Sequence, residues 1–457
     1  MTPPRTVSAP SKKENLKPVD PYEDEKSIAD RVISCNEIVR RREGAGLGAK
    51  MKLLMKSSES VKERHEALEN QDDLLKQYSR KLQSNCYSNS SVTRQSYGNG
   101  TELFRDIAME PERILDAPGI VDDFYLNCLS WSVHDILAIG LGGSVYLWNS
   151  RNGEVSELLD LSSVDGADNA GDYVASLSWI HDGSHLAIGS SDSSVQIWDV
   201  NRSKRMRMFA GHEGRVSAVA WNKHILSTGA HDGQIHTHDV RVSRHLISKQ
   251  IAHTGQVCGL QWSYDGRQLA SGSNDNHVHI WEGSQASTPV YSFTHTAAVK
   301  ALAWCPWQSN TLVSGGGCRD RQMKFWNTST GTCSRSIDTG SQVSSVIWSK
   351  TYRELISAHG YAKNSLCVWK YPSLAQIKEI PGAHDSRILH MAMSPDGDRV
   401  ATVAADENLK IWKIFEKPKV DGKATVLDRP LVTISHMTET AAKFKSSQYT
   451  ENSLSRR

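Results

Sequence analysis

The chain has 457 residues, of which 38% are hydrophobic and 23% charged, enough for a sizeable core and for solubility. Its 53 basic against 51 acidic residues leave a formal net charge of +2, which gives no global electrostatic case for DNA, RNA or an acidic membrane surface. Residues 1 to 30 contain no apolar core, no run of about 18 apolar residues occurs, and the eight cysteines form no C-x-x-C pair; the expectation is reduced thiols, no signal peptide, no membrane span, and localisation in cytoplasm and nucleus.

Residues 1–111 are polar and rich in Lys, Glu, Ser and Asn, which predicts a mostly disordered arm. Only Leu68, Leu74, Leu75 and Leu82 fall at roughly helical spacing, within Val61 to Leu82. Beyond the arm, apolar runs end in tryptophan at Trp148, Trp198, Trp281, Trp326, Trp369 and Trp412, with His238 filling the missing slot. Successive spacings are 50, 40, 43, 45, 43 and 43, the period of a four-stranded propeller blade. A second ladder runs in step: Trp131, Trp179, Trp221, Trp262, Trp304 and Trp348, with Met393 in the last unit.

Within each unit apolar and polar residues alternate at period two, and turns such as Asp182-Gly183, Asp265-Gly266 and Asp396-Gly397 separate the strands. A lone four-stranded sheet leaves its faces unburied until neighbours stack round an axis, so seven units predict one closed ring. The fold class is all-β, a seven-bladed WD-repeat β-propeller over residues 112–415 with largely disordered N- and C-terminal arms, the second being 416–457. Closure needs an outer strand from the other end of the chain, and Arg113-Ile114-Leu115-Asp116 is the candidate.

The sets His253, Ser271, Asp275, Trp281 and His384, Thr402, Asp406, Trp412 bring together the residue types of a hydrolase triad. Their recurrence argues for architecture, since such a set satisfies buried polar groups and locks strand to turn. His236 with His238 and His277 with His279 have H-x-H spacing but no third ligand, which argues against structural zinc. The glycines Gly315, Gly316 and Gly317 precede Cys318-Arg319-Asp320 without a Gly-Lys-Ser/Thr, so no phosphate loop is expected. No catalytic residue, metal or cofactor is predicted, because no nucleophile, base and metal set stands outside the repeats.

Strings outside the generic repeat carry a family resemblance. They are Arg113-Ile-Leu-Asp-Ala-Pro-Gly-Ile-Val-Asp-Asp-Phe-Tyr-Leu-Asn127, Gln256-Val-Cys-Gly-Leu260, Ala298-Val-Lys-Ala-Leu-Ala-Trp-Cys-Pro-Trp-Gln-Ser-Asn310, Trp369-Lys-Tyr-Pro372 and Met393-Ser-Pro-Asp-Gly397. Over about residues 112 to 415 the chain resembles the Fizzy family, the cell-division-cycle activators of the anaphase-promoting complex, and Cys-Pro-Trp-Gln-Ser-Asn leans toward the mitotic Fizzy branch over Fizzy-related.

The resemblance implies a non-enzymatic substrate receptor for degron-bearing cell-cycle proteins such as cyclins and securin. Its partners would be subunits of the anaphase-promoting complex and spindle-checkpoint proteins. A destruction box would lie between the first and last blades, its arginine paired with Asp116 and Glu407 and its leucine pocket formed at Leu115. A Lys-Glu-Asn degron would lie on the top face against Asp123, Asn274, Asn276, Cys318, Gln342 and Arg387, with Asp123 meeting the lysine and Arg387 the glutamate. Cys318 stands where the family usually has Thr. Individually these residues have ordinary readings as well: Asn274 and Asn276 flank a turn, where Asn is favoured anyway.

The arms match less well. The ligase-docking box is represented by Asp30-Arg31-Val32-Ile33-Ser34-Cys35-Asn36, of which Asp30, Arg31 and Ile33 fit while the aromatic, the Pro and the closing Arg are missing. At the other end, Arg456-Arg457 stands in for the family's Ile-Arg tail, and Lys50-Met51-Lys52-Leu53-Leu54-Met55-Lys56 is an imperfect match to its checkpoint-binding segment. Lys13-Glu14-Asn15 has the form of a degron within the receptor itself, which would make the chain a substrate or a pseudosubstrate. Two functions stay open: a ligase activator and substrate adaptor, or a WD-repeat scaffold or decoy that binds degrons without activating the ligase.

Overall fold

The structure, a computed structural model, describes residues 107–161 and 171–416. Those residues form seven four-stranded antiparallel sheets. In each, the chain runs from an inner strand on the central channel to an outer strand at the rim, as in Val174–Trp179, His185–Ser190, Val195–Asp199 and Lys204–Phe209 of blade two. The middle strands are buried on both faces because blades pack face to face; Leu186, Ala187 and Ile188 are all fully enclosed. Outer strands meet solvent instead, and Lys204–Phe209 alternates exposed and half-buried residues with charge on the free edge.

Two repeated devices set the blade spacing. The inner-strand indoles reach back to the preceding blade: Trp179 donates to the Ser130 carbonyl at 3.2 Å, Trp221 to Ser178 at 3.0 Å, Trp304 to Gln261 at 3.0 Å and Trp348 to Ala303 at 3.1 Å. These four bonds account for four positions of the second Trp ladder; Trp262 reaches the Ser227 hydroxyl of blade three at 3.2 Å, and the buried Trp131 indole nitrogen finds no partner among the described residues. The other device is a glycine on the second strand facing a valine of the next blade. A Cβ on Gly229 would stand 2.5 Å from Val257 Cγ1 and 3.0 Å from its Cβ, closer than packed atoms allow. We expect Gly229→Ala to cost about 1–3 kcal/mol by overpacking, read as a lower urea midpoint with unchanged m-value.

The two His/Ser/Asp/Trp sets occupy the interiors of their blades. His253 Nδ1 meets Asp275 at 2.9 Å and its Nε2 meets Ser271 Oγ at 2.8 Å, while the Trp281 indole donates to the same Oγ at 2.9 Å. His384, Asp406, Thr402 and Trp412 repeat the arrangement in blade seven. His295, Asp320, Ser314 and Trp326 form a third copy in blade five. In blade three, His238 takes the tryptophan's slot, stacks on Phe209 at 4.8 Å between ring centroids and pairs with His245 Nδ1 at 2.9 Å. The H-x-H pairs are parts of this packing, since His236 stacks on His212 and His279 lies over His253.

Blade seven is built from both ends of the ring. Its strands Ile388–Met393, Arg399–Ala404 and Asn408–Lys413 are completed by Arg113–Asp116, with Arg113 opposite Ile411 and Asp116 opposite Asn408. Leu115 points inward, 2% exposed, into a cluster with Ala117, Leu126, Leu389, Val403 and Leu409.

From Ala117 the chain turns in and crosses the channel mouth before entering the inner strand Leu129–Trp131. Phe124 is fully buried, in a cluster with Tyr125, Cys258 of blade four and Ala298 of blade five. Asn127 Nδ2 donates to the carbonyls of Ser217 at 2.6 Å and Cys258 at 2.8 Å. Lys300, buried in blade five, donates from Nζ to the carbonyls of Leu126 at 2.8 Å and Leu389 at 2.6 Å. The segment before the first repeat is therefore a plug anchored to the far side of the ring. Lys300→Met would strand two buried carbonyls, with an expected loss of about 2–3 kcal/mol measured by urea unfolding.

Candidate functional site

Topology brings most of the predicted residues to one face. In each blade two connections open on the same side: the loop into the inner strand, and the turn between the second and third strands. Asp123, Gln342 and Arg387 lie in loops of the first kind; Asn274, Asn276, Cys318 and Glu407 lie in turns of the second kind. Asp116 ends its strand on that side, opposite Asn408. Residues scattered over nearly 300 positions thus share the rim of the mouth.

The edge between blades seven and one carries Asp116 and Glu407. Here the turn from Ala404 to Asn408 is cross-tied to the incoming chain: Ala117 N–H donates to the Glu407 carbonyl at 2.7 Å and Gly119 N–H to Glu407 Oε1 at 3.3 Å. Glu407 has φ of 59°, in the left-handed region where a glutamate is strained. Asn276, at the same place in blade four, has φ of 70° and is a residue type that tolerates it. Glu407→Gly should therefore raise stability by about 1 kcal/mol while removing a carboxylate from the groove, and paired urea-melt and peptide-binding measurements would check both halves. Leu115 lies below Asp116 and Glu407 and lines a cavity with Arg113, Ile114 and Arg151. Its side chain belongs to the core beneath Asp116, because in this strand the inward-facing residue is the one that must fill the space between blades seven and one.

Around the mouth, Asn274 and Arg387 are already engaged with the plug, and Asp123, which is part of it, is tied to the ring. Asp123 Oδ2 receives Arg215 Nη1 at 2.6 Å and Oδ1 receives the Tyr125 N–H at 2.8 Å. Arg215 also donates to Tyr173 Oη at 3.0 Å and Gln256 Oε1 at 2.9 Å. Asn274 Oδ1 accepts from Tyr125 Oη at 2.9 Å. Gln342 is buried and its carbonyl accepts from Gly360 N–H at 3.1 Å, while Cys318 is half-exposed. Arg387 does not stand open on the rim: only 1% exposed, it donates from Nε to Asp122 Oδ1 at 2.6 Å and from Nη2 to the Asp122 carbonyl at 3.0 Å. The physical reason is the plug, whose adjacent carboxylates Asp122 and Asp123 each neutralise an arginine, one from blade seven and one from blade three.

Beneath the plug, burial pushes the Lys300 amine down to about 8 and the Cys128 thiol up to about 12. Among the described residues, no group of three or more His, Cys, Asp or Glu is arranged to hold a metal, and no helix is long and apolar enough to cross a membrane.

Residues 115–412 match the CDC20/Fizzy WD40 domain, more than half of the chain. The chain belongs to the CDC20/Fizzy family. It is 51% identical over 341 residues to the anaphase-promoting complex subunit cdc20 of Dictyostelium discoideum, covering 74% of this chain and 66% of that protein. It is 48% identical over 344 residues to Cell division cycle 20.1, cofactor of APC complex, of Arabidopsis thaliana, covering 74% of each. A similar fold is seen in the crystal structure of a mitotic checkpoint complex, where the matched chain is 45% identical with a TM-score of 0.65, covering 72% of this chain and all of that one. Relatives named as Fizzy-related also match, at 45% identity for Arabidopsis FIZZY-RELATED 3.

Within this CDC20/Fizzy propeller, sequence reasoning missed Asp122, Arg215, Tyr361 and Lys300. One signal was present: two consecutive acids followed by Phe124-Tyr125, ahead of the first repeat and outside its pattern, mark a segment with buried aromatics and a charge requirement of its own. The docking positions Asp30, Arg31, Ile33, Arg456 and Arg457, the internal Lys13-Glu14-Asn15, the segment Lys50 to Lys56 and the helix within 61–82 lie outside the described residues.

Proposed function

We propose that this chain is a substrate-recognition adaptor and activator of the anaphase-promoting complex, recruiting degron-bearing cell-cycle proteins such as cyclins and securin for ubiquitination in cytoplasm and nucleus. The observation that carries the reading is the convergence of Asp116, Glu407, Asp123, Asn274, Asn276, Gln342 and Arg387 on one face of a CDC20/Fizzy propeller. In this reading the chain has no catalysis of its own. In support, its His/Ser/Asp and His/Thr/Asp sets are buried and spend their hydroxyls on Trp indoles.

Asp116 with Glu407 supplies two carboxylates for a destruction-box arginine, a charge-assisted contact that gives orientation as well as affinity. Asp116→Ala with Glu407→Ala is expected to weaken destruction-box peptides by about 10-fold or more while leaving Lys-Glu-Asn peptides bound. Equal loss of both would remove the two-site assignment. The function itself is tested by reconstituted ubiquitination of a destruction-box substrate with purified anaphase-promoting complex, comparing the full chain with one lacking residues 1–45. Activity dependent on that segment supports the activator. Degron binding without activity moves the chain to the scaffold or decoy reading, which the incomplete box at Asp30-Arg31-Val32-Ile33 favours.

A further inference from the structure

Arg387 is unusual for an arginine at the rim of a binding face. Its guanidinium is enclosed, with Nε and Nη2 on Asp122 and the Tyr361 ring 5.1 Å from Cζ. Tyr361 in turn donates from Oη to Asp122 Oδ2 at 3.1 Å, so one carboxylate ties guanidinium and phenol together. The remaining nitrogen, Nη1, is buried and finds no hydrogen-bond partner among the described residues. A guanidinium enclosed with one arm unsatisfied is not at its best arrangement. A carboxylate offering both oxygens to the Nη1/Nη2 side would use donors that Asp122 leaves idle.

The parts that would have to move are those placed to move. Tyr361 is 55% exposed and sits in the turn between Glu354–His359 and Leu366–Lys370, and the Asp122 side chain keeps 24% of its surface in solvent. Asp123, one residue on, is held by Arg215 and the Tyr125 N–H, so the backbone of the plug can stay anchored while Asp122 swings.

We propose that Asp122 and Tyr361 form a cover over Arg387, a self-supplied carboxylate that an acidic side chain of an incoming peptide displaces. The proposal rests on the top-face degron reading above and adds its regulation: the acidic-residue subsite is closed in the free protein, and a peptide glutamate opens it by exchanging one carboxylate for another. No net charge is buried in the exchange. A neutral amide in the peptide cannot drive it, which makes the cover a filter for charge as well as a gate.

The test is fluorescence-anisotropy binding of two peptides, Lys-Glu-Asn and Lys-Gln-Asn in the same flanks, to the full chain, Asp122→Asn and Tyr361→Ala. Asp122→Asn keeps the shape and removes the competing charge, so the preference for glutamate over glutamine should rise by about 3- to 10-fold. Tyr361→Ala, at a half-exposed position, should speed association of the Lys-Glu-Asn peptide in stopped-flow mixing and also raise the preference. If the full chain prefers glutamate but both variants keep or lower that preference, Asp122 positions Arg387 and the cover is overturned while the degron reading stands. If none of the three proteins distinguishes the peptides, the Lys-Glu-Asn assignment of this face falls, and the cover with it.

Discussion

A chain beginning at residue 118 is expected to lose the cooperative melt shown by a chain beginning at residue 107. The latter keeps every described contact; the former lacks the outer strand of blade seven. Removing Leu115 alone empties a core site between two blades, worth about 2–5 kcal/mol. The ladder to Asn408–Lys413 and the Ala117 tie to Glu407 go as well, at about 1 kcal/mol for each hydrogen bond. Together these approach the whole stability of an ordinary domain, about 5–15 kcal/mol. The loss should appear by calorimetry as a broad, early transition, and by hydrogen exchange as loss of protection in blades seven and one. A melt within about 2 °C of the longer chain would mean that closure does not depend on this strand.

The second large effect is acid lability beginning well above the carboxylate range. Burial above all pushes His236 and His238 down to about 3 and His359 and His279 to about 4. Each stays neutral in the folded chain, whereas in the unfolded chain it takes a proton near pH 6.5. The unfolded state therefore binds more protons below that pH, and stability falls with falling pH from about 6.5 to the folded values. Each such histidine contributes on the order of 1 kcal/mol per pH unit inside the window. Asp232 adds to the acid end: burial alone would raise it, but hydrogen bonds from His212, the Glu213 N–H and the Gln234 N–H outweigh that and bring it to about 2. Urea unfolding should show near-constant stability from pH 7 to 8 and a steep decline between 6 and 4. His238→Trp, which restores the residue that six blades carry in that slot, should remove about one proton from the slope. A flat profile down to pH 5 would contradict the burial assigned to these rings.

The ring was legible because every blade poses the same local problem. Period-two strands, Asp-Gly turns and two tryptophan positions recur, and eight of the indoles show why: Trp179, Trp221, Trp304 and Trp348 stitch blade to blade, while Trp281, Trp326, Trp369 and Trp412 cap a Ser or Thr inside one. That the candidate residues share one face was implied by the family resemblance, and the blade topology shows which loops and turns bring them there. Their state was not legible. Arg387 and Asp122 are 265 positions apart, and Arg215 and Asp123 are 92 apart, so no local pattern records that these charges find each other. Glu407 was illegible for another reason: its left-handed backbone is set by a turn that Asn or Gly would occupy more comfortably, and the residue type hides the conformation.

Residues 113–127 both close the ring and plug its mouth, and this fixes the order of events at the ribosome. The strand Arg113–Asp116 emerges first among the blades, yet its pairing partners follow nearly 300 positions later, with Asp116 opposite Asn408 and Arg113 opposite Ile411. At ordinary translation rates of roughly 5–20 residues per second, that strand waits on the order of a quarter of a minute to a minute with nothing to pair with, although the plug behind it can already meet Arg215 and Cys258. Six blades can stack in that time, but none of them can seal the axis. The nascent chain is thus an open arc with two unpaired edges, a high-contact-order intermediate exposed to wrong edge pairing until its last strand arrives.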